Sequence, residues 1–224
     1  MFERMRGTWT KAIEPLVLKM GNLDPSILTW ASLILALGAF WLISEAALDN
    51  NGAIMIGASV LLILLAGVLD ALDGALARHQ GVAGPYGDFL DHTIDRVVDV
   101  GLLIAIGMNA TFVSDPSSGA VAAVLTLFGS YMGTQAQSVG LDRIYGGFGR
   151  ADRMVLTVAC LVVASWQAYS GGVGIDLSDA GYASWVMLGN SNLNGMTATL
   201  AISAWGGVYT FLSRFISTRN QLLR

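Results

Sequence analysis

Charged side chains are scarce in this sequence. Asp, Glu, Lys and Arg make up 12% of the 224 residues, whereas hydrophobic residues make up 54%. A soluble domain of average composition carries about 25% charged residues. The deficit excludes an ordinary soluble domain, and the apolar residues come in long runs, which indicates a membrane protein.

Thiols and imidazoles are also scarce. Cys160 is the single cysteine, so the chain cannot form an intrachain disulfide. We interpret Cys160 as a packing residue because it lies inside an apolar run. The sequence contains no cluster of Cys and His with the spacing of zinc ligands. We expect no nucleic-acid partner.

Six apolar segments approach the length of roughly 20 residues that a helix needs to cross a bilayer. They span residues 26–45, 53–77, 88–111, 118–139, 153–169 and 195–215. Upstream, apolar residues such as Phe2, Met5 and Trp9 recur at helical spacing. We therefore predict an all-α polytopic membrane protein, with an amphipathic interfacial helix at residues 1–22 and six transmembrane helices within residues 23–224. The alternative for residues 1–22 is a solvated helix.

The charges in the loops predict how these helices are oriented. If the N-terminus is cytoplasmic, the inner loops and the C-terminal end carry the arginines, and the three outer loops carry Asp49, Asp115, Asp176 and Asp179 without Lys or Arg. This asymmetry follows the positive-inside rule. We expect a multi-pass protein of the cell membrane with both termini in the cytoplasm.

Six aspartates lie inside the second and third apolar segments, where an unpaired carboxylate costs several kcal/mol: Asp70, Asp73, Asp88, Asp91, Asp95 and Asp99. Asp70 and Asp73 are three residues apart, and Asp91 and Asp95 are four apart, so each pair shares one helix face. The two pairs lie at similar depths of about 6–12 Å from the helix ends, at about 1.5 Å per residue. Facing carboxylates need a cation between them, and oxygen ligands suit Mg²⁺, Mn²⁺ or Ca²⁺. The sequence therefore predicts a metal site here.

The spacing of these residues resembles the signature of the CDP-alcohol phosphotransferase family. The match is Asp70-x-x-Asp73-Gly74-x-x-Ala77-Arg78, eight residues, then Gly87-x-x-x-Asp91-x-x-x-Asp95. The segment from Pro25 to Thr29 resembles the family's Pro-Asn-x-x-Thr, with Ser26 where Asn is common.

This resemblance implies a reaction and a role for each residue. The enzyme would transfer a phosphatidyl-type group from a CDP-alcohol lipid to the hydroxyl of a small polar alcohol and release CMP. Asp70, Asp73, Asp91 and Asp95 would bind Mg²⁺ or Mn²⁺ in a two-metal site, with Asp95 as general base, and the family resemblance also implies a homodimer. The donor would be bound by Ser26, Thr29, Gly74, Ala77, Arg78 and Gly87.

A basic inner loop predicts the acceptor. Arg150 and Arg153 lie one helical turn apart, and the segment Arg-Ala-Asp-Arg is similar to the Arg-x-Glu-Arg of family members that use inositol phosphate. We expect Arg143, Arg150 and Arg153 to bind a phosphate on the acceptor, although the positive-inside rule alone also accounts for them. Glycerol phosphate, serine and inositol remain alternative acceptors. A cation- or proton-coupled transporter is the alternative class, since it too places carboxylates inside a helical bundle.

Overall fold

The computed structural model describes residues 15–142, 144 and 146–223, which are mostly helical. Residues 15–20, the first that the structure describes, are helical, and we call this described part α1. The other helices are α2 (Pro25–Glu45), α3 (Asn50–Gln80), α4 (Pro85–Gly107), α5 (Ser117–Ser138), α6 (Arg150–Ser170), α7 (Gly181–Val186) and α8 (Gly195–Leu222). All except α1 and α7 are at least 21 residues long.

The helices begin and end at residues with known capping chemistry. Pro25 and Pro85 occupy the first positions of α2 and α4, where the missing proline N–H costs nothing. Asn194 caps α8 by accepting bonds from the N–H groups of Met196 and Thr197. Gly171 ends α6 with a φ of +73°, the left-handed conformation that glycine adopts readily.

Three described helices, α2, α3 and α6, are long and apolar enough to cross a membrane by length and composition. Large apolar side chains on their surfaces are exposed, for example Ile34 (68%) and Leu61 (63%). Such side chains are stable in contact with lipid. Four aspartates and an arginine in α4 lower its mean hydropathy. The six-span arrangement therefore stays a prediction.

The chain divides into two units, of which the first contains residues up to Gly38 and Leu61–Val98. In this unit Val17 and Leu28 pack with Leu72 and Leu76 in one buried cluster. The Gln80 side chain donates hydrogen bonds to the carbonyls of Gly21 and Leu23, both at 2.9 Å. The described end of the N-terminal segment is thus held against α3. Residues 1–14 of the predicted interfacial helix lie outside the described residues.

The second unit contains Ala39–Val60 and residues from Asp99 onward. Here α5 packs mainly against α8. A Cβ on Gly207 would lie 2.6 Å from the backbone of Leu125, so the two helices approach too closely there for a larger residue. Close contact between small residues is a common way for helices to pack in membranes.

The connection between α6 and α8 differs from the all-α prediction. It contains helix α7 and two short strands, β1 (Ile175–Asp176) and β2 (Asn192–Leu193), which pair antiparallel with Ile175 opposite Leu193. Two-residue strands carry too little alternation of polar and apolar residues to be recognised in a sequence. The predicted bounds also shift: the third apolar segment forms a helix that ends at Gly107 rather than 111, and the last helix continues to Leu222 rather than 215.

Buried asparagines organise the loops of the second unit. Asn109 donates to the carbonyls of Ile43 (2.7 Å) and Ala46 (2.9 Å) and accepts from backbone N–H groups in its own turn. Asn190 accepts from the N–H groups of Ser114 and Asp115 at 3.0 and 3.1 Å. Each amide satisfies backbone groups that would otherwise be buried without partners.

Candidate active site

The carboxylates predicted to bind metal lie on α3 and α4 within the first unit. Asp73 and Asp95 are buried, with 6% and 7% of their surface exposed, and Asp70 and Asp91 are partly buried. The Thr29 hydroxyl of α2 donates a hydrogen bond of 2.5 Å to the Asp73 carboxylate. This bond holds the Asp73 side chain in a fixed orientation.

The charges of Asp70 and Asp91 act directly on the Asp73 carboxylate. Several like charges in a partly desolvated place repel one another strongly unless a cation lies among them. The position of these three side chains is therefore consistent with the sequence-based metal site.

A compact group of possible ligands lies on α4. One ligand atom from each of Asp91, His92 and Asp95 lies within 4.8 Å of the others. The His92 ring also lies between two carboxylates, with Nδ1 3.7 Å from Asp91 and Nε2 3.6 Å from Asp88. Carboxylate oxygens with one imidazole at this separation fit a divalent cation. Among the described residues, Asp70 and Asp73 are not part of this group.

His92 is the residue of this group that the sequence analysis does not predict. A histidine directly after a motif aspartate is more often a polar neighbour than a ligand, and no sequence spacing distinguishes the two. Its position i+4 from Asp88 on one helix face is the signal that could have suggested a role.

A cavity of about 500 Å³ lies in the first unit. All six residues predicted to bind the donor line it: Ser26, Thr29, Gly74, Ala77, Arg78 and Gly87. Asp73 and Asp91 line it as well, while Asp70 and Asp95 do not contribute to its wall as described. The structure thus brings the two parts of the motif and the start of α2 together around one space, although the roles of these residues remain predictions.

Two glycines of the motif have different surroundings. A Cβ on Gly74 would lie 3.2 Å from Nη1 of Arg78, so the arginine side chain extends back along α3 over the glycine. A Cβ on Gly87 would meet no atom within 4 Å. Packing inside the protein therefore does not require glycine at 87, whereas a ligand that approaches the backbone there would.

Asp24 lines the cavity although the sequence analysis does not predict a role for it. Its carboxylate accepts hydrogen bonds from the N–H and the hydroxyl of Ser26, at 2.9 and 2.8 Å. These bonds lower the pKa of Asp24 below its ordinary value. Asp24 therefore places a negative charge at the rim of the cavity and at the same time caps α2.

The predicted acceptor arginines lie in the second unit at the start of α6. Arg153 is buried; its Nη2 donates to Asp99 Oδ2 at 2.6 Å and its Nη1 donates to the carbonyl of Phe148 at 3.3 Å. Arg150 is more exposed, and its Nε lies 3.5 Å from Asp99 Oδ1. Arg143 lies outside the described residues. The sequence analysis did not predict that Asp99 would contact both arginines.

The loop before α6 rests on α8. The Thr210 hydroxyl accepts from the N–H of Phe148 at 2.8 Å and donates to the carbonyl of Gly206 at 2.7 Å. Gly147 has a φ of +83°, and a Cβ there would lie 2.7 Å from the Thr210 hydroxyl oxygen. Arg214 donates to the carbonyl of Gly146 at 3.2 Å. Residues 146–149, which we call the glycine loop, are thus fixed from α8.

Comparisons with known proteins agree with these observations. A family model described as CDP-alcohol phosphatidyltransferase matches residues 22–193. The archaetidylinositol phosphate synthase of Aeropyrum pernix is 32% identical over 75% of this chain and 82% of its own length. The phosphatidylinositol phosphate synthase of Cutibacterium acnes is 26% identical over 73% of this chain and 78% of its own length.

Solved structures of the phosphatidylinositol phosphate synthase of Mycobacterium tuberculosis share the fold. The structure with CDP-DAG bound has a TM-score of 0.67 and 22% identity, and the alignment covers 93% of this chain and 92% of that one. The complex with manganese and citrate has a TM-score of 0.69 and 21% identity, and covers 94% and 88%. With a motif that matches at every position and a family model that covers most of the sequence, this chain belongs to the CDP-alcohol phosphatidyltransferase family and is a transferase of phosphate-containing groups.

Proposed function

We propose that this protein transfers a phosphatidyl-type group from a CDP-linked lipid to a hydroxyl of a phosphorylated polyol such as inositol phosphate, with release of CMP. The observation that carries the proposal is the cavity of the first unit, which gathers the six predicted donor residues together with Asp73 and Asp91. The relatives named as inositol phosphate lipid synthases support the same acceptor class.

The donor is the better supported of the two substrates. The related M. tuberculosis enzyme has been solved with CDP-DAG bound. In this chain, Arg78 lines the cavity and offers a guanidinium for a phosphate oxygen of the CMP part. The small residues Ala77 and Gly87 leave room for the nucleotide to approach the helix backbone, and the Arg78 side chain lies over Gly74 in the same wall.

Asp70, Asp73, Asp91 and Asp95 would hold one or two divalent cations, with His92 as an additional candidate ligand. The buried carboxylates and the close group on α4 fit Mg²⁺ or Mn²⁺, and the M. tuberculosis relative was solved with manganese. Such ions, when bound, neutralise charge on the phosphates and stabilise the attacking and leaving oxygens.

Side chains of the protein itself accept the proton of the acceptor hydroxyl and stabilise the leaving CMP. The acceptor oxygen attacks the phosphorus that bears the lipid, and the bond from that phosphorus to the CMP oxygen breaks. Asp95 takes the proton of the acceptor hydroxyl as general base. Its burial keeps the carboxylate away from bulk water, and Arg78 compensates the negative charge on the departing CMP.

The acceptor assignment depends on the arginines. Arg143, Arg150 and Arg153 would supply positive charge for a phosphate on the acceptor, as the similarity to inositol phosphate-using relatives implies. Glycerol phosphate would use the same arginines. Serine or inositol would leave them with no acceptor phosphate to bind.

We propose that six helices cross the cell membrane with both termini in the cytoplasm and the active site open to the cytoplasmic side. The six helices of at least 21 residues and the absence of Lys and Arg from the outer loops of the sequence support this topology. A homodimer remains an expectation from the family resemblance. The transporter alternative loses its support because the family assignment is that of a transferase.

Release of CMP tests the proposed function. Purified protein would be given CDP-diacylglycerol and Mg²⁺ with inositol phosphate, glycerol phosphate, serine or inositol in separate reactions, and the experiment would be repeated with a CDP-archaeol donor. We expect CMP and a new phospholipid with inositol phosphate. Transfer to serine or inositol alone would contradict the proposed acceptor, and no CMP release with any pair would contradict the proposed reaction.

A further inference from the structure

The two arginines at the start of α6 differ in how their side chains are held. Only 10% of the Arg153 side chain is exposed, against 29% for Arg150. Arg153 donates to Asp99 at 2.6 Å and to the Phe148 carbonyl at 3.3 Å. A phosphate that binds Arg153 directly would have to enter this buried place and lie beside the Asp99 carboxylate, which would repel it.

Asp99 contacts both arginines. One carboxylate oxygen accepts the Arg153 bond, and the other lies 3.5 Å from Nε of Arg150. Asp99 itself is buried, with 7% of its surface exposed, so this contact lies in a desolvated place where its geometry is restricted. One carboxylate therefore holds Arg153 by a hydrogen bond and lies within ion-pair distance of Arg150.

The glycine loop connects this ion pair to α8. The carbonyl of Phe148 accepts a hydrogen bond from Arg153, and its N–H donates to the Thr210 hydroxyl. Arg153 therefore contributes to the position of the loop from which Arg150 begins α6. This is a structural role that differs from direct contact with a ligand.

We propose that Asp99 is a positioning residue for the acceptor: it holds Arg153 as an anchor of the glycine loop and orients Arg150 as the arginine that binds the acceptor phosphate. The inference rests on the proposed function, because it requires an acceptor that carries a phosphate. It divides the roles of two arginines that the sequence treats as equivalent.

The test compares steady-state constants of purified Asp99→Asn, Asp99→Glu and Arg150→Gln with wild type. Asp99→Asn removes the charge, whereas Asp99→Glu keeps it and moves it by one methylene. We expect Asp99→Asn and Arg150→Gln each to raise the KM for inositol phosphate by about ten- to a hundred-fold, with the KM for the CDP-lipid changed by less than about two-fold. Asp99→Glu should lie between wild type and Asp99→Asn.

The double variant Asp99→Asn with Arg150→Gln shows whether Asp99 acts through Arg150. We expect its acceptor KM to stay within about three-fold of Arg150→Gln alone, since coupled residues are not additive. Asp115→Asn, which removes a carboxylate that accepts bonds from Ser117 at the start of α5, serves as the control and should leave both constants unchanged. A merely structural pair would instead lower the unfolding temperature and change both KM values together.

Two failures can be distinguished. If wild type transfers only to unphosphorylated alcohols, the proposed acceptor is wrong and this inference is wrong with it. If wild type uses inositol phosphate but folded Asp99→Asn and Asp99→Glu keep its acceptor KM, the inference alone is wrong. Should Asp99→Asn fail to fold, Asp99→Glu and Arg150→Gln still decide between these outcomes.

Discussion

Single residues of this site combine charge with burial. Asp95 has 7% of its surface exposed although it lies on a helix with three other aspartates. A buried carboxylate can accept a proton from a hydroxyl without competition from bulk water. Its environment therefore suits the role of general base that the family resemblance implies.

The first prediction concerns Asp95→Asn. A general base contributes about 10²–10⁴-fold to the rate, so we expect turnover to fall by roughly that factor while CDP-lipid binding persists. Steady-state kinetics and a donor-binding measurement check this, with Asp176→Asn as a control on an exposed carboxylate in the short strand β1. Near-normal turnover of Asp95→Asn would show that another group accepts the proton.

The hydrogen bond from Thr29 to Asp73 can be tested by a substitution that changes a single hydroxyl. Thr29→Val removes the hydroxyl that donates to Asp73 and leaves the shape of the side chain nearly unchanged. Loss of a donor to a buried group costs about 1–3 kcal/mol. We expect the Mg²⁺ concentration for half-maximal activity to rise at least several-fold, because Asp73 loses its fixed orientation.

Thr29→Ser is the matched control for this variant because it keeps the hydroxyl. It should behave nearly as wild type in the same Mg²⁺ titration. If Thr29→Val and Thr29→Ser give the same titration curve, the hydrogen bond to Asp73 has no part in metal binding.

Among the helices, α5 and α8 can pack closely because Gly207 of α8 has no side chain where it meets α5. Gly207→Ala would place a Cβ 2.6 Å from the Leu125 backbone, and the helices would have to separate. Overpacking of this kind costs about 1–3 kcal/mol. We expect a lower unfolding temperature in detergent, measured by circular dichroism.

Gly67→Ala is the control for that substitution. Gly67 lies within α3, and a Cβ there meets no atom within 4 Å. Alanine is favoured over glycine in a helix by about 1 kcal/mol, so this variant should be as stable as wild type or more stable. Equal destabilisation by both variants would contradict the close contact at Gly207.

Asn190 is one of the buried asparagines that organise the loops of the second unit. Its side chain is fully buried and bonds to the backbone of Ser114, Asp115 and Met187. We expect Asn190→Ala to lower the free energy of unfolding by about 1–3 kcal/mol, because buried backbone groups lose their partner. Chemical denaturation measures this, and the exposed Asn51→Ala should have little effect. Equal curves for the two variants would contradict the role of Asn190.

For the whole molecule, the clearest prediction is dependence on a divalent metal. Removal of metal with a chelator should abolish CMP release, and Mg²⁺ or Mn²⁺ should restore it, since the clustered carboxylates repel one another without a cation. Metal analysis by mass spectrometry verifies the removal. Full activity of the metal-free protein would rule out a catalytic metal.

Much of the fold and of the candidate site could be predicted from the sequence. The apolar runs predicted the long helices, and the two segments that resemble the family predicted six residues that line one cavity. Both the apolar runs and the fixed spacing of the signature can be read from the sequence without tertiary information. The ion pair of Asp99 with Arg153 could not be predicted, because it joins residues 54 positions apart and no local spacing records it.

The bounds of helices were less predictable for a related reason. Just after the end of α4, Asn109 donates hydrogen bonds to the carbonyls of Ile43 and Ala46, which are distant in sequence. The pairing of Ile175 with Leu193 likewise depends on a tertiary contact between two short segments that are 18 positions apart in the sequence. His92 was missed because one histidine beside an aspartate carries no pattern of its own.

The turn between α3 and α4 consists of residues 81–84, and three of them, Val82, Ala83 and Gly84, line the cavity. Most surface loops tolerate insertions because their length affects nothing but themselves. Here an added residue would displace part of the cavity wall and would also rotate α4 relative to α3, taking Asp91 out of line with Asp73. The cavity and the position of α4 beside α3 therefore set the length of this turn, and we expect it to accept substitutions but not insertions.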